Sequence, residues 1–285
     1  MGDVLEAEEA GRVPAGPADD HAALDAVLWD PIAAGVLVRS QPRFDEVVLD
    51  AGCGDGATAL PTAELVGPGG RVDAFDPDEA LVALVRDRAG DRMPQLRPSV
   101  GDPTDREAAD AAEGGYDLVQ CTLGVRRLAA GDLDRVGGVV QRLVAQARPG
   151  GRVAIAVWAG GSFDPLPEIL AGALAPEYGG AADASELAES ANPTLPGAET
   201  PGAFARLLSG YGLIGVRSAL VPLHLELDEE LAWRLVTGTT LRTLIDVLDD
   251  DAVERVRTRA LAAIADRSIA SVDASVLVAV GRRPV

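Results

Sequence analysis

Val47-Val48-Leu49-Asp50-Ala51-Gly52-Cys53-Gly54-Asp55-Gly56 is the stretch on which the reading of the fold turns. Apolar residues run into an acid, and glycine then takes every second position. Residues 57–66 follow with helical spacing. A buried strand that ends in a glycine turn and opens a helix suits a nucleotide-type ligand, because the backbone can approach closely and the helix N–H groups face it. The acids qualify the ligand. Asp50 stands just before the first glycine and Asp55 inside the loop. A pyrophosphate would meet two carboxylates in a low-dielectric pocket, at a cost, whereas an amine and a sulfonium would be attracted. The spacing also fits the looser dinucleotide pattern with Ala57 in the last place, so an NAD-type oxidoreductase stays open at this point.

Outward from this stretch, strands and helices alternate. Strands are expected at about 46–50, 71–75, 95–100, 116–120 and 152–158, with helices at 57–66, 77–89, 103–112 and 133–147. Such alternation specifies right-handed βαβ units and a parallel sheet. Gly67-Pro68-Gly69-Gly70 and Pro149-Gly150-Gly151 read as helix stops. Ahead of the first strand, residues 21–38 are helical, with Leu24, Val27, Leu28, Ile32, Val36 and Leu37 on the apolar face and a break at Pro31. After Trp158 the rhythm changes. The expected organisation is a flexible acidic N-terminus over 1–20, N-terminal helices and a ligand-binding core over 21–158, and a Gly-, Pro- and Ala-rich lid segment over 159–202. The C-terminal part of the core then covers 203–285: a sixth strand near 213–227, a helical insertion at 228–267 broken near 237–240, and a closing strand at 275–281.

Composition excludes several functions. The chain has 285 residues, 47% hydrophobic and 25% charged, as expected of a soluble globular protein with one large domain. Its formal net charge is −20, all its positive charge is arginine, and Arg126-Arg127 is the densest basic pair before Arg282-Arg283. Affinity for nucleic acid comes from cationic contacts to phosphate, so no nucleic-acid partner is expected. No apolar run approaches the roughly 20 residues of a membrane helix, and residues 1–20 lack the basic and apolar regions of a signal peptide. A cytoplasmic protein with no membrane partner is expected. Two cysteines, Cys53 and Cys121, supply neither a disulfide framework nor a four-ligand zinc site, and no acidic pair suits Mg²⁺. No metal is expected.

The later strand ends carry the remaining candidates. Asp76 lies about 20 residues past the loop, where a carboxylate stands beside the ribose hydroxyls of a bound nucleoside. Asp76-Pro77-Asp78-Glu79 is also a good helix start. Asp102, in Gly101-Asp102-Pro103, can accept a hydrogen bond from an adenine amine or cap the next helix. Cys121 follows Gln120 at the switch point where ligands bind. Arg126 or Arg127 suits an anionic acceptor group, or else a solvated loop. A general base would most naturally be a histidine, and the chain has His21 and His224.

VVLDAGCGDG, FDPDEAL, GDP, YDLVQCTLG and ARPGGRVAIAVW, in that order, resemble the class I S-adenosylmethionine-dependent methyltransferases. The resemblance covers about residues 46–158, with a weaker extension near 235–248 and the closing strand. It is nearest the branch with quinone-biosynthesis and bacterial natural-product methyltransferases. It implies an α/β fold: a doubly wound seven-stranded mostly parallel sheet in the order 3-2-1-4-5-7-6, with strand seven antiparallel and helical lid elements. It implies S-adenosylmethionine as cofactor, S-adenosylhomocysteine as product, and methyl transfer to a small-molecule acceptor in bacterial secondary metabolism, with oxygen the favoured atom and carbon or nitrogen still open. Asp50 and Gly52 would hold the methionine part, Asp76 the ribose, Pro77 and Asp102 the adenine. Cys121 would line the reaction pocket, and Ala51, Gly54, Gly101 and Pro103 would complete the cofactor site. The missing Asn-Pro-Pro-aromatic tetrad argues against a nucleobase amine as acceptor. His21 and Arg127 are the candidates for catalysis, although a sulfonium is already an activated donor and needs only alignment and exclusion of water. The alternatives are a methyltransferase-fold protein catalysing a non-methylating step such as cyclisation, or the NAD-type oxidoreductase. Monomer and homodimer both remain open.

Overall fold

The computed structural model describes residues 18–105, 114–178 and 194–285. Most of the flexible terminus expected over residues 1–20, most of the 103–112 helix and the middle of the 159–202 segment lie outside the described residues, and residues 18–20 open the first helix instead. The helices are α1 (Ala18–Ala22), α2 (Asp30–Ser40), α3 (Ala59–Val66), α4 (Glu79–Ala89), α5 (Val125–Leu128), α6 (Leu133–Gln146), α7 (Leu166–Leu174), α8 (Pro201–Gly210), α9 (Glu229–Gly238) and α10 (Asp250–Asp266). The strands are β1 (Val47–Ala51), β2 (Arg71–Asp76), β3 (Leu96–Val100), β4 (Tyr116–Thr122), β5 (Ala147–Trp158), β6 (Ile214–Val221), β7 (His224–Glu226), β8 (Ser271–Asp273) and β9 (Val276–Arg282).

Seven strands form one sheet in the order β3-β2-β1-β4-β5-β9-β6. β9 runs antiparallel to both its neighbours, and β1 to β5 are mutually parallel. With β9 counted as the seventh strand of the sheet, this is the expected order. The parallel strands are apolar because helices cover both faces. On one face Val48, Val72 and Leu118 meet Ala63, Val66 and Val85 of α3 and α4. On the other Leu49, Val119 and Ile155 meet Val139 and Leu143 of α6 and Phe204 of α8. Each fully buried side chain of this kind contributes about 1.5–3 kcal/mol. Ile32 and Val36 seat α2 on Ala156, Val276 and Val278.

Three boundaries differ from expectation, each for a local reason. The 213–227 strand is two pieces. Pro222 has no N–H for a ladder, so β6 ends at Val221 and β7 pairs instead with β8 in a separate ribbon. Pro149-Gly150-Gly151 does not separate α6 from β5. β5 begins at Ala147, and the ladder shifts register between Tyr116 and Leu118 to take up these residues. The N-terminal break precedes Pro31: a single π turn covers Asp25–Trp29, and α2 starts with the proline in its first turn, where a missing N–H costs nothing. In the segment read as a lid, α7 buries Leu166, Ile169, Leu170 and Leu174, and α7 packs with Val256 and Ala260 of α10 in one apolar cluster. α7 is therefore packed against α10. Among the described residues, no helix is long and apolar enough to cross a membrane.

Candidate active site

The glycine loop joins β1 to α3 at the C-terminal edge of the sheet. Gly52 and Gly54 have φ of +71° and +57°, the left-handed region that glycine tolerates without a Cβ penalty. A Cβ on Gly52 would lie 3.0 Å from Gly124 Cα, so the loop packs directly on the turn after β4. The N–H groups of Gly52 and Cys53 both donate to the Phe75 carbonyl, at 2.8 and 2.9 Å. Gly54 N donates to Asp76 Oδ2 at 2.8 Å. The end of β2 therefore holds the loop in shape.

Asp50 lies beneath this loop, fully buried. Its Oδ2 accepts from Thr58 Oγ1 at 2.7 Å and from Gln120 Nε2 at 2.9 Å. Its Oδ1 and the Gln120 Oε1 have no hydrogen-bond partner among the described residues. Burial pushes the Asp50 carboxyl up to about 6, against the two hydrogen bonds. Ala51 and Cys121 are buried beside it, and burial raises the Cys53 and Cys121 thiols.

Asp76 is buried at the end of β2 but does not cap α4. Asp78 is the cap, accepting from Ala80 N and Leu81 N, which leaves Asp76 to the site. Its Oδ1 accepts from Asp78 N at 3.0 Å, and its Oδ2 takes Arg127 Nη2 at 2.6 Å besides Gly54 N. Toward β3, Pro77 is half-buried, Gly101 N donates to the Asp76 carbonyl, and Asp102 Oδ1 accepts from Thr104 N at 2.7 Å. Pro103 is buried, and its carbonyl accepts from Gln146. These residues form a second group along the β2–β3 edge, outside the walls of the central cavity.

That cavity, of about 90 Å³, is bounded by Gly52 and Gly54 on one side and by Trp29, Ile32, Leu123 and Trp158 on the other. Thr122 Oγ1, at its wall, has no partner among the described residues. His21 stacks on Trp29 with centroids 4.5 Å apart. His21 Nε2 lies 3.5 Å from Asp55 Oδ1, and its Nδ1 lies 3.2 Å from the Gly238 carbonyl. The cover thus comes from His21 and Trp29 and from residues 238–240 at the end of α9. His224 stands exposed on the β7 ribbon, 3.9 Å from Asp273 and away from the cavity walls.

Asp55 changes the electrostatic argument made from sequence. Its carboxylate is 1% exposed and paired with Arg88 at 2.9 Å as well as with His21. Burial alone would raise it, but hydrogen bonding and charge from His21, together with Arg88, bring it down to about 2. Arg88 also holds Asp25 at 2.7 Å; burial and the Asp55 carboxylate push Asp25 up to about 6. Asp55 is therefore neutralised from behind, and the uncompensated acid at the loop is Asp50. Thr58, Gln120 and Arg88 carried no local signal for these roles, since their partners lie 8 to 70 residues away.

Residues 48–151 match a methyltransferase domain family. Over 226 residues the chain is 33% identical to nocamycin O-methyltransferase of Saccharothrix syringae, covering 75% of this chain and 72% of that one. The chain belongs to the class I S-adenosylmethionine-dependent methyltransferases. A second relative, aklanonic acid methyltransferase of a Streptomyces species (strain C5), is 31% identical over 144 residues, 49% of this chain and 61% of that one. The crystal structure of YcgJ from Bacillus subtilis shares the fold, with a TM-score of 0.55 at 15% identity, over 89% of this chain and 98% of that one.

A methyltransferase of this class takes an adenosyl sulfonium with an amino-acid tail, and the donor set suits one. Asp50 presents a buried, unpartnered carboxylate oxygen under the glycine loop, chemistry that an ammonium satisfies. Asp76 is a buried carboxylate at the neighbouring strand end, of a chemistry that would suit a diol, and the aromatic wall offers apolar cover. Among the described residues, no group of three or more His, Cys, Asp or Glu side chains is placed to hold a metal.

Proposed function

We propose that this methyltransferase acts on an oxygen of a small, largely apolar natural product and releases S-adenosylhomocysteine. The observation that carries the reading is the wall facing Gly52 and Gly54: Trp29, Ile32, Leu123 and Trp158 meet the glycine loop with few polar groups between them. The names of the two curated relatives support it, one an O-methyltransferase and the other acting on an acid.

S-adenosylmethionine supplies, when bound, a methyl group on a sulfonium. Asp76 takes the ribose hydroxyls, Pro77 and Asp102 border the adenine, and Gly52, Gly54 and Asp50 receive the methionine end. Cys121, with Ala51, forms the floor behind the loop. Trp29 and Trp158 exclude water and orient a flat acceptor against the loop. His21 is held between Asp55 and the Gly238 carbonyl, so it serves as cover and not as a freely turning base.

Calorimetry with S-adenosylhomocysteine and with NAD tests the cofactor half, and binding of NAD alone sinks it. Incubation with methyl-labelled S-adenosylmethionine and a panel of polycyclic phenols and acids tests the acceptor half. The expected result is label in an organic-soluble product. Conversion of an acceptor without movement of label would instead establish a non-methylating reaction such as cyclisation.

A further inference from the structure

A groove of about 620 Å³ lies between α2, β6 and β9, at the other end of the sheet from the glycine loop. β5 links the two places, with Arg152 in the groove and Trp158 in the wall of the central cavity. Six residues at roughly 3.3 Å each put about 20 Å between them. α2 makes the same span, from Ile32 and Ala33 in the cavity wall to Val38 and Arg39 in the groove. The volume falls within the roughly 300–1,000 Å³ of small-molecule sites.

Five arginines line the groove: Arg39, Arg43, Arg152, Arg217 and Arg282. No aspartate or glutamate lines it among the described residues. Arg152 is buried and neutralised by Glu46 through bonds of 2.8 and 2.6 Å. Its other bonds, to the Ser40 and Gln41 carbonyls, hold the turn after α2. Arg39 donates to the Gly35 and Leu220 carbonyls and ties α2 to β6, and Arg282 donates to the Gly150 carbonyl. A carbonyl orients a guanidinium without cancelling its charge. Four positive charges therefore share one concave wall that offers them no acid. Like charges gathered in this way repel, and a bound anion relieves them.

The edge strand shapes this wall. The ladder of β6 on β9 shifts register between Ile214 and Arg217, and Gly215 takes a φ of +61°. Such a bulge re-aims the side chains beside it, and here Arg217 joins the groove. Next to it, Ser218 Oγ is buried without a partner among the described residues, a spare hydroxyl on the same wall. The apolar part is open, since Val38 is 70% exposed and Ile214 53%.

Guanidinium forks beside an apolar strip suit a phosphate ester with an apolar body, because the forks pair with phosphate oxygens two at a time. Net charge selects for size. An acidic protein or a nucleic acid would set many negative charges against a chain of −20, a repulsion felt over its whole surface. A small anion inside the groove is governed by the arginines within a Debye length of about 8 Å. A second copy docking by the same face would set arginine against arginine. We propose that this groove is a second ligand site, separate from the methyl-transfer site, for a small phosphorylated molecule with an apolar body.

Calorimetry with inorganic pyrophosphate tests the anion part, and geranyl diphosphate adds an apolar chain. Pyrophosphate should bind the wild type, and Arg217→Gln and Arg282→Gln should each weaken it about tenfold. Both side chains are exposed, so either variant should keep the fold. Arg206→Gln removes an equal charge from α8, outside the groove, and should leave binding unchanged. Saturating S-adenosylhomocysteine should not alter the affinity, and geranyl diphosphate should bind about tenfold more tightly than pyrophosphate. Absent binding, equal binding in all the chains, or equal weakening in Arg206→Gln overturns the site. Competition with S-adenosylhomocysteine places the anion at the glycine loop and overturns the separation of the two sites. Geranyl diphosphate binding no tighter than pyrophosphate overturns the apolar part. Hexaglutamate binding more tightly than pyrophosphate, with that affinity lost in the same two variants, overturns the small-molecule reading in favour of an acidic protein segment.

Discussion

Replacing Asp50 with asparagine should flatten the dependence of stability on pH. Asp50 is fully buried, and burial raises its carboxyl to about 6. An unfolded aspartate titrates near 3.9. Between those values the folded chain holds a proton that the unfolded chain has released, so stability falls as pH rises through this window and the loss is complete above it. Two pKa units at 1.36 kcal/mol each make the loss about 3 kcal/mol. Asparagine keeps an acceptor for Thr58 and Gln120 and carries no charge. Its amide nitrogen leaves two buried N–H donors without a partner, a penalty of about 1–3 kcal/mol each that does not vary with pH. Urea unfolding of both chains, in half-unit steps from about pH 4 to about pH 7, measures the difference between them, in which other titrating groups such as Asp25 cancel. Asp50→Asn should gain about 3 kcal/mol on the wild type across that range. A difference that stays flat refutes the buried, charged state of Asp50. Saturating S-adenosylhomocysteine should remove the trend from the wild type, because an ammonium near the unpartnered oxygen lowers the carboxyl again.

Asp76→Asn removes the acid that Arg127 faces, so unfolding free energy should drop by about 3–5 kcal/mol, and calorimetry should show S-adenosylhomocysteine affinity down by about tenfold or more; an unchanged pair of values contradicts the site. Gly52→Ala forces an L-residue to φ +71° against the backbone of Gly124 and should cost at least about 1–2 kcal/mol; a melting temperature equal to the wild type's argues against that close approach. Leu170→Ala should cost about 2–5 kcal/mol, since Leu170 is 1% exposed in the α7–α10 cluster; a near-zero effect would refute the packing of α7 on α10. Burial keeps the thiols of Cys53 and Cys121 protonated and covered, so a thiol reagent at mildly alkaline pH should label neither until the chain unfolds; rapid labelling of the native protein refutes this.

The glycine loop, the alternation of strands and helices and the acid at the end of β2 were legible because each is a local pattern. Glycine spacing, apolar runs and turn residues act within about ten positions, and a chain that alternates in this way has few ways to pair its strands. Proline chemistry is equally local, so the break at Pro222 was open to inspection in a segment read as one strand. The site's electrostatics were not legible. Asp55 looked like a charge offered to the ligand, and tertiary packing set Arg88 against it from 33 residues away in the chain. Arg127 read either as a partner for an anionic acceptor group or as a solvated loop arginine, and the fold carried it 51 residues back onto Asp76. Asp50 stayed under the loop because Thr58 and Gln120 converge on it from two other elements. The sequence by itself determined the alternation of strands and helices and the glycine loop between the first strand and its helix, and its resemblance to a family supplied the order of the sheet. Which carboxylate is neutralised, which is raised by burial and which is paired with Arg127 depended on pairs distant in the chain, and only the packed structure brings such pairs within hydrogen-bond reach.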